Sequence, residues 1–133
     1  MARKGFADDL EKITLENADF RRVLYTATHS QLVLMSIPPG GQIGAETHEE
    51  HDQFFRFEQG EGLVTIDGNA YAVKDGSGVI VPAGALHNVQ NTGKTDLRLY
   101  TIYSPPEHAD GTVHKTKAEA TAQEEHFDGK TTE

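Results

Sequence analysis

The sequence contains no cysteine in its 133 residues. The chain therefore forms no disulfide bond, and no thiolate can serve as a nucleophile or a metal ligand. Long apolar runs are also missing, and none approaches the roughly 18 residues that span a bilayer. The N-terminal stretch 1–13 has no apolar leader segment. These absences predict a soluble, cytoplasmic protein with no membrane partner.

Positive charge is scarce as well. The chain has 12 Lys and Arg against 21 Asp and Glu, which gives a formal net charge of −9. Nucleic acids and anionic membrane surfaces are bound by clustered Lys and Arg. We therefore expect neither as a partner, and we interpret the negative charge as a contribution to solubility.

Short apolar segments separated by turn residues run from residue 21 to residue 104. In residues 53–58, two phenylalanines point to one face and Arg56 and Glu58 to the other, which is the alternation of a strand. The sequence Asp67-Gly68-Asn69 predicts a hairpin. The segments predict about eight to ten short strands at a spacing of roughly eight to twelve residues. This spacing is typical of an all-β sandwich or barrel.

The two ends of the chain differ from this middle part. We expect residues 1–20 to be an N-terminal lead-in, residues 21–105 the barrel, and residues 106–133 a polar tail. Before residue 116 we expect no helix beyond a frayed turn at 8–12, whereas the stretch AEATAQEEHF in the tail is helix-like. The tail is either a loose surface segment or an arm that packs across the barrel mouth or a neighbouring subunit.

Two glycine-bounded segments, 40–60 and 76–91, bring ligand-type side chains to the ends of apolar strands. Two-residue spacing places Glu46 and His48 on one face of an extended segment. His87 follows in the second segment. A carboxylate and two imidazoles suit a divalent metal and leave coordination positions open, as in non-haem iron sites. Gln53 would be a weaker fourth ligand or a hydrogen-bonding partner.

These segments resemble the two motifs of the cupin superfamily. The second motif, G-x5-P-x-G-x2-H-x3-N, is matched at every position by Gly76, Pro82, Gly84, His87 and Asn91. The first, G-x5-H-x-H-x3-4-E-x6-G, corresponds in spacing to Gly40, Glu46, His48, Gln53 and Gly60. Glutamate replaces its first histidine, and glutamine replaces its glutamate. The resemblance implies a small single-domain cupin, whose fold is a double-stranded β-helix, or jelly-roll barrel.

The resemblance also implies a ligand set for one divalent metal ion: Glu46, His48, Gln53 and His87. The usual set is three histidines and one glutamate, so the ligand charge is unchanged here while one imidazole is exchanged for an amide. The greater oxygen content favours Fe, Mn, Ni or Zn over copper. Glu46 would be a ligand or, if released from the metal, a catalytic general base.

Proteins similar to these cupins include dioxygenases, isomerases, lyases and decarboxylases. The resemblance therefore favours a metal-dependent enzyme that acts on a small polar organic molecule. A non-catalytic barrel that binds a small ligand is one alternative. A structural or regulatory subunit is another, since many small cupins are homodimers, and we expect a homodimer here.

Several residues near these motifs leave alternatives open. His48 and His87 could bond to Glu46 and Gln53 with no metal, and His51 could replace Gln53 as a ligand. Only one of Tyr100 and Tyr103 can face inward, because their positions on one strand differ by three, an odd number. Three arginines could face inward from neighbouring strands: Arg21, Arg22 and Arg98. The remaining histidines are expected at the surface: His29, His108, His114 and His126. Of these, His108 and His114 are candidates for the pocket rim.

Overall fold

The computed structural model describes residues 2–133, which form nine strands and two helices. The barrel strands run in the order β1 (Arg21–Thr26), β2 (Gln31–Ile37), β3 (Asp52–Gln59), β4 (Glu61–Ile66), β5 (Asn69–Lys74), β6 (Gly78–Val81), β7 (His87–Asn91) and β8 (Leu97–Ser104). A short strand, β9 (Val113–His114), follows. The helices are α1 (Leu10–Glu16) and α2 (Lys117–Ala122). The all-β prediction is confirmed.

The strands pair antiparallel in two sheets. One sheet has six strands in the order β6-β3-β8-β2-β1-β9, and the other has three in the order β5-β4-β7. Their inward residues share one core, with Phe55, Phe57 and Leu99 from the larger sheet packed against Val64 and Val89 from the smaller. All five side chains are fully buried. This is the jelly-roll barrel that the sequence predicts.

Glycine allows the chain to pass from one sheet to the other between β3 and β4. Gly60 has φ +98°, and a Cβ atom there would lie 2.9 Å from the carbonyl oxygen of Asp96. No other residue type fits both the conformation and the space. The next turn contains Asp67 and Gly68, both with positive φ, as the predicted hairpin requires.

The expectation of no helix before residue 116 is wrong, because α1 extends four residues beyond the predicted frayed turn. The Asp9 carboxylate caps it by accepting the Lys12 N–H at 3.2 Å. At its other end the Arg98 guanidinium on β8 donates to the Leu15 carbonyl. The residue of α1 that is buried is polar Thr14, so the apolar periodicity that would predict the helix is absent.

The tail packs on the barrel, so of its two interpretations the arm across the mouth is observed. β9 pairs with β1, and α2 follows with the Thr116 hydroxyl accepting the Glu119 N–H at 3.1 Å as its cap. Near the end of the chain, the Thr132 N–H donates to the Thr26 carbonyl at 2.9 Å. Within residues 2–133, no helix is long and apolar enough to cross a membrane.

Candidate metal centre

Two backbone hydrogen bonds place Glu46 directly beside His87. The Glu46 N–H donates to the His87 carbonyl at 2.8 Å, and the His87 N–H donates to the Glu46 carbonyl at 2.9 Å. Residues paired across antiparallel segments in this way present their side chains on the same face. The register of the chain, rather than any side-chain contact, thus sets a carboxylate next to an imidazole at this end of the barrel, the mouth.

His48 lies two residues beyond Glu46 and points to the same face of the segment. The turn at Gly84 holds it there, because the Gly84 N–H donates to the His48 carbonyl at 2.8 Å. The Nε2 atom of His48 lies 3.1 Å from the Oε2 atom of Glu46. The ring centroids of His48 and His87 are 5.3 Å apart. One ligand atom from each of these three residues lies within 4.8 Å of the other two.

The tautomer of His87 suits a metal ligand. Its Nδ1 atom lies 3.0 Å from the Ala85 carbonyl oxygen. Because a carbonyl only accepts, Nδ1 carries a proton, and in the neutral ring the free lone pair is therefore on Nε2. A histidine held through one ring nitrogen in this way is the usual arrangement around bound metals.

Gln53 is buried, and within residues 2–133 only the nitrogen of its side-chain amide forms a hydrogen bond. Its Nε2 donates to the Thr101 hydroxyl at 3.0 Å, whereas its Oε1 is buried and has no hydrogen-bond partner among the described residues. An unpaired buried amide oxygen costs about 1–3 kcal/mol, so a cation or a donor is expected there. The oxygen and imidazole donors present fit Fe, Mn, Ni or Zn. The four-ligand set of Glu46, His48, Gln53 and His87 stays a prediction.

Glu46 and His48 stabilise each other's charged form. Burial raises the pKa of the Glu46 carboxyl, but the hydrogen bond and charge of His48, together with the Arg21 charge, leave that pKa below its ordinary value. The hydrogen bond with Glu46 in turn raises the pKa of His48 despite its partial burial. A metal ion would take the place of the shared proton, because both groups would offer lone pairs to it.

His51 belongs to a second group at the mouth, centred on Glu107. Its Nδ1 donates to the Pro105 carbonyl at 2.7 Å, and its Nε2 lies 2.6 Å from the Glu107 carboxylate. Both ring nitrogens are therefore occupied, and His51 does not lie in the cluster with Glu46, as the alternative ligand set would require. The same carboxylate lies 3.7 Å from the Nδ1 atom of His48, on the side away from Glu46.

A cavity of about 190 Å³ opens at the mouth between the barrel and the tail. From the barrel it is lined by Glu46 and His48, and from the tail by Glu107, His108 and α2. The tail thus forms one wall of the candidate site. The inward tyrosine is Tyr103. Its ring is nearly perpendicular to the ring of His48, and the two centroids are 5.9 Å apart. Burial raises the pKa of Tyr103, so it offers a neutral hydroxyl.

The expectation that His108 and His114 lie at the surface is wrong, since they are only 7% and 2% exposed. His108 is held by Glu125 at 2.7 Å and by the Tyr103 hydroxyl at 3.3 Å, because the tail folds back over the barrel. His114 pairs with Arg21 across β9 and β1. No local pattern marks these positions, since their burial depends on where the tail packs. His126 is exposed, as expected.

Sequence reasoning also missed Glu107 and left Arg21 as one of three inward candidates. Arg21 is buried, whereas Arg22 is exposed. The two-residue alternation of β1 contains the signal, because Arg21 shares a face with the buried Val23. Arg98 is half-buried and turns to α1 instead of the cavity.

The family model named Cupin domain matches residues 33–103. The chain therefore belongs to the cupin family and is a small cupin with one barrel. It is 46% identical over 128 residues to the Bacillus subtilis protein YrkC, covering 92% of this chain and 69% of that protein. A crystal structure from Bacillus halodurans superposes with a TM-score of 0.89 at 45% identity, covering 90% of this chain and 96% of that one.

A more distant relative is an oxalate-binding protein of Thermotoga maritima. It is 31% identical over 68 residues, which cover 51% of this chain and 56% of that protein. The structure of a predicted oxalate decarboxylase from the same organism superposes with a TM-score of 0.55 at 28% identity, covering 56% of this chain and 65% of that one. These two matches therefore cover between half and two thirds of the length of each of these proteins.

Proposed function

We propose that this cupin is a metal-dependent enzyme that acts on a small polar organic molecule. The observation that supports it most directly is the convergence of Glu46, His48 and His87 beside a cavity that opens at the mouth. The unpaired Oε1 of Gln53 supports it as well. A bound divalent ion would supply Lewis-acid chemistry or activation of water or oxygen.

The protein's own contribution is to hold these donors in place. The Ala85 carbonyl orients His87, and the Thr101 hydroxyl orients the Gln53 amide. Donors fixed in this way need no rearrangement when an ion or a substrate enters. Glu46 is half-buried at the cavity wall, where its carboxylate can also accept a proton from a substrate in the cavity.

The reaction belongs to one of three classes that this donor set can support: dioxygenase, isomerase or lyase. The size of the cavity favours a small substrate. The relation to a predicted oxalate decarboxylase supports a lyase that acts on a carboxylic acid, so decarboxylation is the first reaction to test. The active species would be the protein with one ion of Fe, Mn, Ni or Zn per chain.

The test is turnover by the metal-loaded protein. Protein reconstituted in turn with Fe, Mn, Ni and Zn is incubated with small oxo, hydroxy and dicarboxylic acids and with sugars, and product is detected by NMR and by oxygen uptake. We expect turnover with one metal and its loss in the His87→Ala variant. Absence of turnover with every metal and every substrate class would contradict the enzyme proposal.

A non-catalytic binding protein is the second candidate, because one relative is named for binding oxalate. In that case a small acid occupies the cavity without chemical change. Two measurements on the metal-loaded protein separate the candidates. Saturable binding by calorimetry, together with a ligand that NMR shows to be unchanged after long incubation, would favour the non-catalytic binding protein.

A further inference from the structure

Arg21, the first residue of β1, is a buried cation without a counter-ion. It is 8% exposed, and it forms no ion pair with any Asp or Glu among residues 2–133. Its Nε atom is buried with no hydrogen-bond partner among the described residues. Its Nη1 atom lies 3.5 Å from the Nδ1 atom of His114. Burying a charge without a partner is costly, so an anion at this guanidinium would be stabilising.

The carboxylates around Arg21 are engaged elsewhere. Glu46 and Glu107 bond to the mouth histidines, as described above, and Glu125 accepts from the His108 ring and from the Ala109 N–H. The Arg21 guanidinium lies instead over the ring of Phe20, 5.4 Å from its centroid. This contact supports a cation without neutralising it.

Arg21 lines the same cavity as Glu46 and His48. A ligand in that cavity can contact the guanidinium and the candidate metal ligands at once. Lys117 lines the cavity too, but its side chain is exposed to solvent. Arg21 is therefore the buried cation that faces a bound molecule.

The size and charge of the cavity restrict the ligand. Its volume of about 190 Å³ is below the roughly 300–1,000 Å³ of pockets that hold drug-sized ligands, which favours a small molecule. One guanidinium neutralises one carboxylate. Four carboxylates also line this cavity, so a phosphate dianion is repelled more strongly than the single charge of a monocarboxylic acid: Glu46, Glu107, Glu124 and Glu125.

We propose that Arg21 anchors the carboxylate of a small hydroxy or oxo acid, whose other oxygen faces the Glu46–His48–His87 cluster. The inference rests on the proposed function, because it names the substrate class for the same cavity. Arg21 acts here as a substrate-anchoring residue that sets specificity for acids over neutral analogues.

The test uses L-lactate and its neutral amide, L-lactamide, with the full-length protein loaded with Zn, which is diamagnetic and suits NMR. The Nε–H signals of the arginines are followed by nitrogen-15 NMR. We expect the Arg21 signal to shift saturably with L-lactate and to stay in place with L-lactamide. The signals of the exposed Arg3 and Arg22 should not move, and they serve as internal controls.

Two matched variants separate the anchoring role from general charge effects. In Arg21→Gln we expect the dissociation constant for L-lactate to rise at least tenfold, since a charged hydrogen bond is lost. Arg22→Gln removes the same charge from the adjacent residue, whose side chain pairs with Asp19 at the surface, and should leave the constant unchanged. If circular dichroism shows that Arg21→Gln does not fold, the wild-type NMR comparison decides alone.

Three results would overturn the inference: no shift of the Arg21 signal with L-lactate, equal binding of L-lactamide, or tighter binding of inorganic phosphate than of L-lactate. Unchanged L-lactate binding by folded Arg21→Gln would overturn it as well. Because this test measures binding and not product formation, its outcome is independent of turnover. If the Arg21 signal shifts with L-lactate but no metal-dependent turnover is found, the inference is supported and the enzyme proposal fails. If turnover is found but the Arg21 signal does not shift, the enzyme proposal is supported and the inference fails.

Discussion

At the residue scale, the site depends on a few side chains whose partners are fixed by backbone register. Glu46 and His87 are cross-strand neighbours, and His48 joins them by two-residue spacing. The two-residue spacing follows from the sequence, and the cupin motifs imply that His87 belongs to the same ligand set, so the membership of this cluster could be predicted whereas the register that pairs Glu46 with His87 could not. The partners that hold the site in place, Glu107 and the Ala85 carbonyl, could not, because they depend on the three-dimensional path of the tail and of one turn.

Replacing Gln53 by glutamate tests its position. Gln53→Glu should tighten the binding of a divalent metal by on the order of tenfold, since a charged oxygen replaces a neutral one. Competition with a fluorescent chelator measures the change. Gln59→Glu, on the same strand at the opposite end, is the matched control and should leave the affinity unchanged. A weaker metal site in Gln53→Glu would mean that this side chain does not face the ion.

His108 predicts a pH dependence of stability. Burial lowers its pKa below the ordinary 6.5, although the hydrogen bond with Glu125 opposes this, and the charge of Arg21 adds to the lowering while that of Glu107 opposes it. The unfolded chain therefore binds a proton more readily than the folded one. The resulting stability is complete above pH 6.5 and decreases as the pH falls through that value.

Urea unfolding between pH 7.5 and pH 5 measures this dependence. His108 lowers the free energy of unfolding on acidification, whereas His48, whose pKa is raised, acts in the opposite direction. We therefore expect the wild type to lose more stability, or gain less, between pH 7.5 and pH 5 than the His108→Gln variant. The exposed His29 provides the control, and His29→Gln should keep the wild-type slope. Identical slopes for His108→Gln and wild type would show that His108 does not contribute. Protonation of Glu125, whose pKa the His108 bond lowers despite burial, adds a further loss at lower pH.

At the element scale, the barrel strands were predictable because their inward and outward residues alternate. Strand β8 shows the pattern throughout, with buried residues at every second position from Leu97 to Tyr103. Helix α1 was not predictable, since it packs through Thr14 and through contacts from distant residues. The pairing of β9 with β1 was not predictable either, because a strand of two residues is too short to show an alternating pattern.

The core of the larger sheet should be sensitive to truncation. Leu99 on β8 is fully buried in the core. Leu99→Ala should lower the free energy of unfolding by about 2–5 kcal/mol, through lost burial and the cavity left behind. Leu86, which is 54% exposed, is the matched control, and Leu86→Ala should change stability by less than about 0.5 kcal/mol. Similar losses in urea titrations of both variants would contradict this packing.

At the scale of the whole molecule, the cupin barrel and the cavity at its mouth follow from the two motifs and the strand spacing. The tail is the part that the sequence left open, because its polar composition is compatible with both a surface segment and a packed arm. Its packing decides the shape of the site, since it supplies Glu107, buries His108 and forms one wall of the cavity with α2.

The homodimer stays a prediction. Apolar side chains remain exposed on the barrel, most of all Ile80 on β6 at the edge of the larger sheet, at 68%. Light scattering coupled to gel filtration should give twice the chain mass of 14.6 kDa. A mass equal to that of one chain at micromolar concentration would contradict a stable dimer.

We propose that Glu46, His48 and His87 hold one metal ion. The most direct test is the metal content per chain, measured by elemental mass spectrometry on the wild type, His87→Ala and the exposed-site control His29→Ala, each purified and then reconstituted with Mn, Fe, Ni or Zn. We predict close to one equivalent in the wild type and in His29→Ala, and almost none in His87→Ala, because one of only two imidazoles is lost. Equal metal content in all three proteins, or none in the wild type with any of these metals, would contradict the claim.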